Sequence, residues 1–333
     1  KSQGIDALKG ALILWVVIGH VAEAVHAEHI AFWIGSGIRM PLLVGISGYL
    51  LNLERVRSAA FPALAGRYGR RLLLPWLGAS VIYLLMGGML IDWATPIRLV
   101  LQAPYHLWYI PVLCALILLT RLVRLSPIVL MLLAAPVTLA TLGGMALAFG
   151  PVGQGMFAFD SRFLHFPFFF FLGMVLARQP GMAGQGWVAL ALAGGGALWW
   201  AGLYEVADPL SRTLAQFVMA SGLIGLLPEV AALSLRVPVV AAIGRSSLFY
   251  YLWHPFVVGI AIVQGLPAPV TLAVSLVSLI LACLLLRRVP AIGCWFGVAL
   301  SPPPRARERR EETAASALTP PSGAVFAQPL AEG

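Results

Sequence analysis

Long apolar stretches, separated by short basic or Gly/Pro-rich breaks, leave this chain few ways to fold. Ten such stretches can be read, at 7–26, 31–52, 71–91, 107–123, 127–149, 162–178, 186–204, 212–228, 246–264 and 268–286. Each has roughly the 17–25 residues that a helix needs to cross hydrocarbon. Within lipid the backbone must satisfy its own hydrogen bonds, so the runs read as helices. Only 11% of the residues are charged, against about 25% in an ordinary soluble domain. The expected fold is all-α: a polytopic transmembrane bundle of about ten helices that occupies residues 1–290.

The basic residues predict its orientation. With the N-terminus in the cytoplasm, 18 Lys and Arg fall inside and 3 (Arg98, Arg162 and Arg212) outside, while Arg39 lies in the second span, which accounts for all 22. This is the positive-inside pattern, and it gives an N-in, C-in topology. The net charge of +9 is therefore read as topology and contact with membrane lipid, not as nucleic-acid binding. Residues 291–333 read as a cytoplasmic, mostly disordered tail, because the stretch from Ser301 lacks apolar periodicity. Its RARERR cluster is either solvated or set against anionic headgroups. The first span is expected to be retained and not cleaved as a signal peptide, since further apolar spans follow it. Cys114, Cys283 and Cys294 have no metal-ligand spacing, so neither a disulfide framework nor a metal site is implied. Nucleotide loops, HExxH and GxSxG motifs are missing from the sequence.

Against this background, a few polar groups stand out. His20 interrupts the apolar run ALILWVVIGHVA. An ionisable group at membrane depth is costly and by default marks function. Imidazole is also suited to moving protons near neutral pH. Glu23, three residues on, shares its helix face. It either orients the imidazole or marks the end of the helix at the headgroups. Arg67, Arg70 and Arg71 in GRYGRRLLLP are either phosphate ligands or topology anchors. Ser247, Tyr250 or Tyr251, and His254 form a stripe on the ninth span that faces a cavity or a neighbouring helix. The segment YHLWY, residues 105–109, reads as an interfacial aromatic belt, with Trp108 and Tyr109 as candidate support residues. Arg39 is costly unless it snorkels or pairs.

Six of these stretches, in this order, resemble the membrane acyltransferase-3 family: IDALKGALILWVVIGH, MPLLVGISGYL, RYGRRLLLPWL, HLWYIPVL, FPFFFFLGMVL and SSLFYYLWHP. The resemblance is nearest to the branch of fucose 4-O-acetylases and runs from Ile5 to about Pro255. It implies an O-acyltransferase of the bacterial inner membrane. Acyl-CoA, most often acetyl-CoA, would be the donor, and a carbohydrate or lipid-linked hydroxyl the acceptor. It also implies an essential histidine at His20 and a basic partner at Lys9, where many members have Arg. An RxxR element maps onto Arg67 and Arg70. His20 would then be a general base or would carry the acyl group itself. Tyr250, Tyr251 or Ser247 would stabilise the oxyanion, and CoA phosphates would sit near Arg67, Arg70 and Arg71. No metal is implied. The competing reading is a transporter or flippase of a lipid-linked saccharide.

Overall fold

The computed structural model describes residues 2–88, 92–145, 151–152, 157–179, 185–206 and 208–299. Lys1 and the tail from residue 300 onward, with the RARERR cluster, lie outside these. The described chain is helical except for one two-residue hairpin pair. In order the elements are α1 (Gln3–Ala24), α2 (Ile30–Tyr49), α3 (Leu53–Ser58), α4 (Phe61–Tyr68), a π-helical turn (Gly69–Leu73), α5 (Leu74–Met86), α6 (Thr95–Leu101), α7 (Tyr109–Leu122) and α8 (Pro127–Met145). Strands β1 (Pro151–Val152) and β2 (Phe159–Asp160) follow. Then come α9 (Arg162–His165), α10 (Pro167–Leu176), α11 (Gly186–Gly202), α12 (Pro209–Gly225), α13 (Leu227–Ala232), α14 (Pro238–Arg245), α15 (Ser247–Val263), α16 (Ala268–Arg288) and α17 (Pro290–Gly293).

The all-α expectation is met, but the ten spans are not seen as ten full-length helices. Among the described residues, four helical stretches are long and apolar enough to cross a membrane: Gln3–Ala24, Ile30–Tyr49, Pro209–Ala232 and Ala268–Arg288. A fifth is possible if α14 and α15, bent by 86° at Ser246, count as one. Tyr109–Leu122, Pro127–Leu142 and Arg162–Leu176 are apolar but shorter. The third expected run, 71–91, begins in the π-helical turn, and its α-helix has only 13 residues. Hydropathy registers apolar runs, but it is blind to such turns and bends. Residues 291–299, read in the sequence as the start of the tail, fall in the same compact unit as the helices. Trp253 Nε1 donates to the Phe296 carbonyl at 3.0 Å, and Val298 is buried.

Helix α1 runs through the middle of the packing, against α2, α14, α15 and α16. Two glycines make its approach to α14 possible. A Cβ at Gly10 would lie 2.0 Å from the Val240 carbonyl oxygen, and one at Gly244 would lie 1.8 Å from that of Asp6. Small residues of this kind let backbones approach where lipid provides no hydrophobic drive.

Several arginines clamp helix ends. Arg57 donates to the carbonyls of Thr120, Val123 and Leu125 at 3.3, 3.4 and 2.5 Å. Arg121 Nη1 donates to Val56 and Ala59 at 2.8 and 2.7 Å. Arg178 reaches Met174 and Leu51 at 2.6 and 2.9 Å. Carbonyls in the last turn of a helix have no intrahelical donor, so a guanidinium there satisfies them and favours the negative end of the helix dipole.

Candidate active site

Three imidazoles from three separate segments meet near the C-terminal end of α1. The ring centroids of His20 and His254 are 5.0 Å apart, those of His106 and His254 5.2 Å, and those of His20 and His106 6.3 Å. His254 is fully buried on α15, and His106 is buried in the turn before α7. His20 keeps 34% of its side chain exposed, so it is the member of the three that faces an opening.

The hydrogen bonds define the tautomers. His20 Nδ1 lies 3.0 Å from Glu23 Oε2. A carboxylate accepts, so Nδ1 carries the proton and the neutral ring leaves Nε2 bare, able to take a proton. His254 Nδ1 lies 2.9 Å from the Tyr250 carbonyl. A carbonyl also only accepts, which makes His254 Nε2 a second bare nitrogen, and it has no hydrogen-bond partner among the described residues. Neither ring nitrogen of His106 meets a partner in hydrogen-bonding geometry. Among the described residues no group of three or more His, Cys, Asp or Glu is placed to hold a metal ion.

Glu23 divides its oxygens between two helices. While Oε2 holds His20, Oε1 accepts from Arg39 Nη2 at 3.3 Å. Arg39 Nε also donates to the Gly35 carbonyl at 3.1 Å, and the residue is 8% exposed. The guanidinium reaches α1 with Nη1 foremost because position 19 is glycine; a Cβ there would be 1.6 Å from Nη1. The cost expected for Arg39 within a span is thus met by pairing. Glu23 orients an imidazole here and is not merely a mark of the helix end.

The YHLWY segment is not an interfacial belt. His106, Leu107 and Trp108 are buried, and of the five only Tyr105 is widely exposed. Tyr105 has φ +53°, a left-handed backbone that side-chain-bearing residues rarely adopt. It turns the chain so that His106 points inward while the Tyr105 ring rests 5.7 Å from Tyr83. Tyr83 meets the His106 ring edge-on at 5.4 Å and donates to the Leu252 carbonyl at 3.1 Å. The Tyr251 hydroxyl donates to the His106 carbonyl and accepts from the Tyr109 N–H at 3.4 Å. The Tyr109 hydroxyl pairs with Ser47 Oγ at 2.6 Å. Trp108 stacks on Phe166 at 5.1 Å with the Arg162 guanidinium 4.9 Å from its ring.

The structure therefore brings together His20, Glu23, Tyr251 and His254, with Trp108 and Tyr109 behind them. Tyr250 and Ser247 do not join this group. Tyr250 turns toward Cys283 of α16, and Ser247, at the start of α15, makes no hydrogen bond with a described residue. The Tyr251 proton is engaged by a carbonyl, so its hydroxyl holds the His106 turn in place. His106, Arg39 and Tyr83 complete the group; the first two were visible in the sequence as a histidine in an aromatic run and an unexplained intramembrane charge.

Lys9 sits lower on α1, paired with Asp6 at 3.0 Å. Eleven residues are about three turns, so Lys9 and His20 share a face about 16 Å apart along the axis. Arg67, Arg70 and Arg71 make no hydrogen bond or ion pair with a described residue. Arg70 lines a shallow groove of about 360 Å³ with Gly66, Gly69, Leu73, Leu74 and Leu77. None of those lining residues belongs to the histidine group. The link between them is α5, which starts in the groove at Leu74 and carries Tyr83, about 14 Å further along its axis, against His106.

A sequence model of the acyltransferase-3 family, described as an acyltransferase domain, matches residues 2–288. Searches of curated proteins and of solved structures gave no match.

Proposed function

Because the chain belongs to the acyltransferase-3 family, which makes it an acyltransferase of the membrane, we propose that it moves an acyl group from cytoplasmic acyl-CoA to a hydroxyl of a carbohydrate or lipid-linked acceptor. Acetyl-CoA is the donor we favour, and the bacterial inner membrane the location. The observation that carries this reading is the Glu23–His20 pair, which leaves His20 Nε2 bare at the one exposed edge of the histidine group. His20 Nε2 takes the proton of the acceptor hydroxyl as its oxygen attacks the thioester carbon. The C–S bond breaks, and the same proton passes to the departing thiolate. A well-placed general base of this kind contributes about 10²–10⁴-fold.

The donor's phosphates would lie on Arg67, Arg70 and Arg71, whose guanidinium groups have no partner to displace among the described residues. Guanidinium binds phosphate in a fork and stays charged at any working pH. The acyl arm would follow α5 from the Arg70 groove toward Tyr83. Lys9, on the same helix face as His20, would contact the arm between the two ends.

The test is transfer of label from acetyl-CoA by the purified protein, given a crude envelope fraction as acceptor source. Labelled acceptor with release of free CoA supports the proposal. Saccharide movement across vesicles with neither label transfer nor CoA release would replace it with a flippase.

A further inference from the structure

We infer that Arg39 is a catalytic residue, whose Nη1 donates to the acyl carbonyl oxygen while Nη2 holds Glu23. This rests on the acyl-transfer reading above and adds to it the electrophilic half of the site.

Arg39 is placed by three constraints. Its Nε is fixed on the Gly35 carbonyl at 3.1 Å, and its Nη2 on Glu23 Oε1 at 3.3 Å. Its Nη1 end abuts α1 at Gly19, where a Cβ would lie 1.6 Å from Nη1 and 2.6 Å from the guanidinium carbon. The remaining nitrogen, Nη1, makes no hydrogen bond with a described residue, and it is not among the sealed, unpartnered polar atoms. It lies over Gly19, adjacent in sequence to His20, on the side of α1 that Glu23 shares. A guanidinium held by two of its nitrogens and open at the third is a preorganised donor. Only glycine at position 19 lets it lie there.

The chemistry needs such a donor. As the hydroxyl oxygen bonds to the acyl carbon, negative charge collects on the carbonyl oxygen. It returns to the carbon as the C–S bond breaks and the thiolate leaves. The other polar hydrogens near the site are engaged or sealed: Tyr251 with the His106 carbonyl, Tyr83 with the Leu252 carbonyl, and His254 Nδ1–H with the Tyr250 carbonyl, while both ring nitrogens of His106 are buried away from the opening. His254 Nε2 and His20 Nε2 are lone pairs and cannot stabilise an oxyanion. Arg39 Nη1 supplies the hydrogen bond that these groups cannot.

The experiment uses the full chain in lipid nanodiscs and two unreactive mimics of acetyl-CoA. One is a ketone, with CH₂ in place of sulfur and the carbonyl oxygen kept. The other is S-ethyl-CoA, with no carbonyl oxygen. The unaltered protein should bind the ketone at least about tenfold more tightly, the lower end for a hydrogen bond to a charged group. Arg39→Met should bring the ratio near one and lower kcat by about 10²–10³, as for loss of an oxyanion donor. Arg39→Lys should recover part of both. Gly19→Ala keeps the charge but must displace Nη1, and it should reduce the ratio in the same direction. It also reads the contact if Arg39→Met does not fold. An unchanged ratio in Arg39→Met or Gly19→Ala, or no preference in the unaltered protein, overturns the inference. Transfer that survives in His20→Ala while Arg39→Met still abolishes the preference would remove the base and leave the donor standing. Failure of the unaltered protein to bind either mimic would remove the acyl-CoA reading and this inference with it.

Discussion

The two polar regions of this molecule satisfy their charges in opposite ways. Around His20, the ionisable groups Glu23, Arg39 and His20 itself each have a partner on another turn or another helix: His20 with Glu23, Glu23 with Arg39, and Arg39 with the Gly35 carbonyl. At the start of α5, Arg67, Arg70 and Arg71 have none among the described residues. Nor is the difference one of arginines in general, because Arg57, Arg121 and Arg178 have their donors bound to helix-end carbonyls. A region whose groups hold one another is built to do chemistry in a fixed geometry. A region of unpartnered guanidinium groups is built to receive an anion from outside.

That contrast can be broken at either end. The largest effect should come from the fixed region. Glu23→Gln keeps the shape but offers His20 an amide in place of a carboxylate, so the tautomer is no longer enforced. An analogous change in a serine-protease triad costs about 10⁴ in kcat; with Glu23 half exposed, about 10² is expected here, with donor KM unchanged. Steady-state kinetics with acetyl-CoA as the varied substrate would check this, and a shift in KM alone would contradict it.

Replacing Arg67 and Arg70 together with Gln should do the converse. Donor KM should rise about tenfold or more, the scale of a lost charged hydrogen bond, while kcat holds. Unchanged donor KM would make these residues topology anchors, and the contrast would lose its second half. Arg121→Gln sharpens it from the other side. That substitution leaves the Val56 and Ala59 carbonyls without their donor, so the midpoint of thermal unfolding should fall by the equivalent of about 1–3 kcal/mol. Donor KM should stay put, and a movement of KM instead of stability would blur the division between the two arginine sets. The smallest effect is that of salt. Exposed guanidinium groups are screened over about 8–10 Å at ordinary ionic strength, so donor KM should rise with added KCl. The same titration on Arg67→Gln/Arg70→Gln should be flatter.

Sequence alone made the membrane character and much of the site legible, and for the same reason. Both depend on patterns within one helix. The pairing of His20 with Glu23 is an i, i+3 relation, and Tyr251 and His254 share a helix with a visible aromatic and imidazole motif. What could not be read is what one helix does to another. Arg39 was conspicuous as an intramembrane charge, but its partner lies across a loop, and the glycine notch that admits it shows only in three dimensions. His106 was hidden in an aromatic run that resembled an interfacial belt, until the left-handed Tyr105 turned it inward. Tyr250 and Tyr251 are neighbours of like chemistry, and only packing tells which faces His106 and which Cys283. Ten full-length spans are not seen among the described residues for a related reason. Hydropathy recognises apolar stretches but cannot see the π-helical turn before α5 or the 86° bend at Ser246.

The central claim is that the two regions are the ends of one donor path. A structure of the full chain with acetyl-CoA bound tests it most directly. The account predicts CoA phosphates on Arg67, Arg70 and Arg71, the arm along α5, and the thioester beside His20 Nε2 with room for one hydroxyl between them. A thioester resting outside the histidine group, with Tyr83 and His20 untouched by the donor, would contradict it.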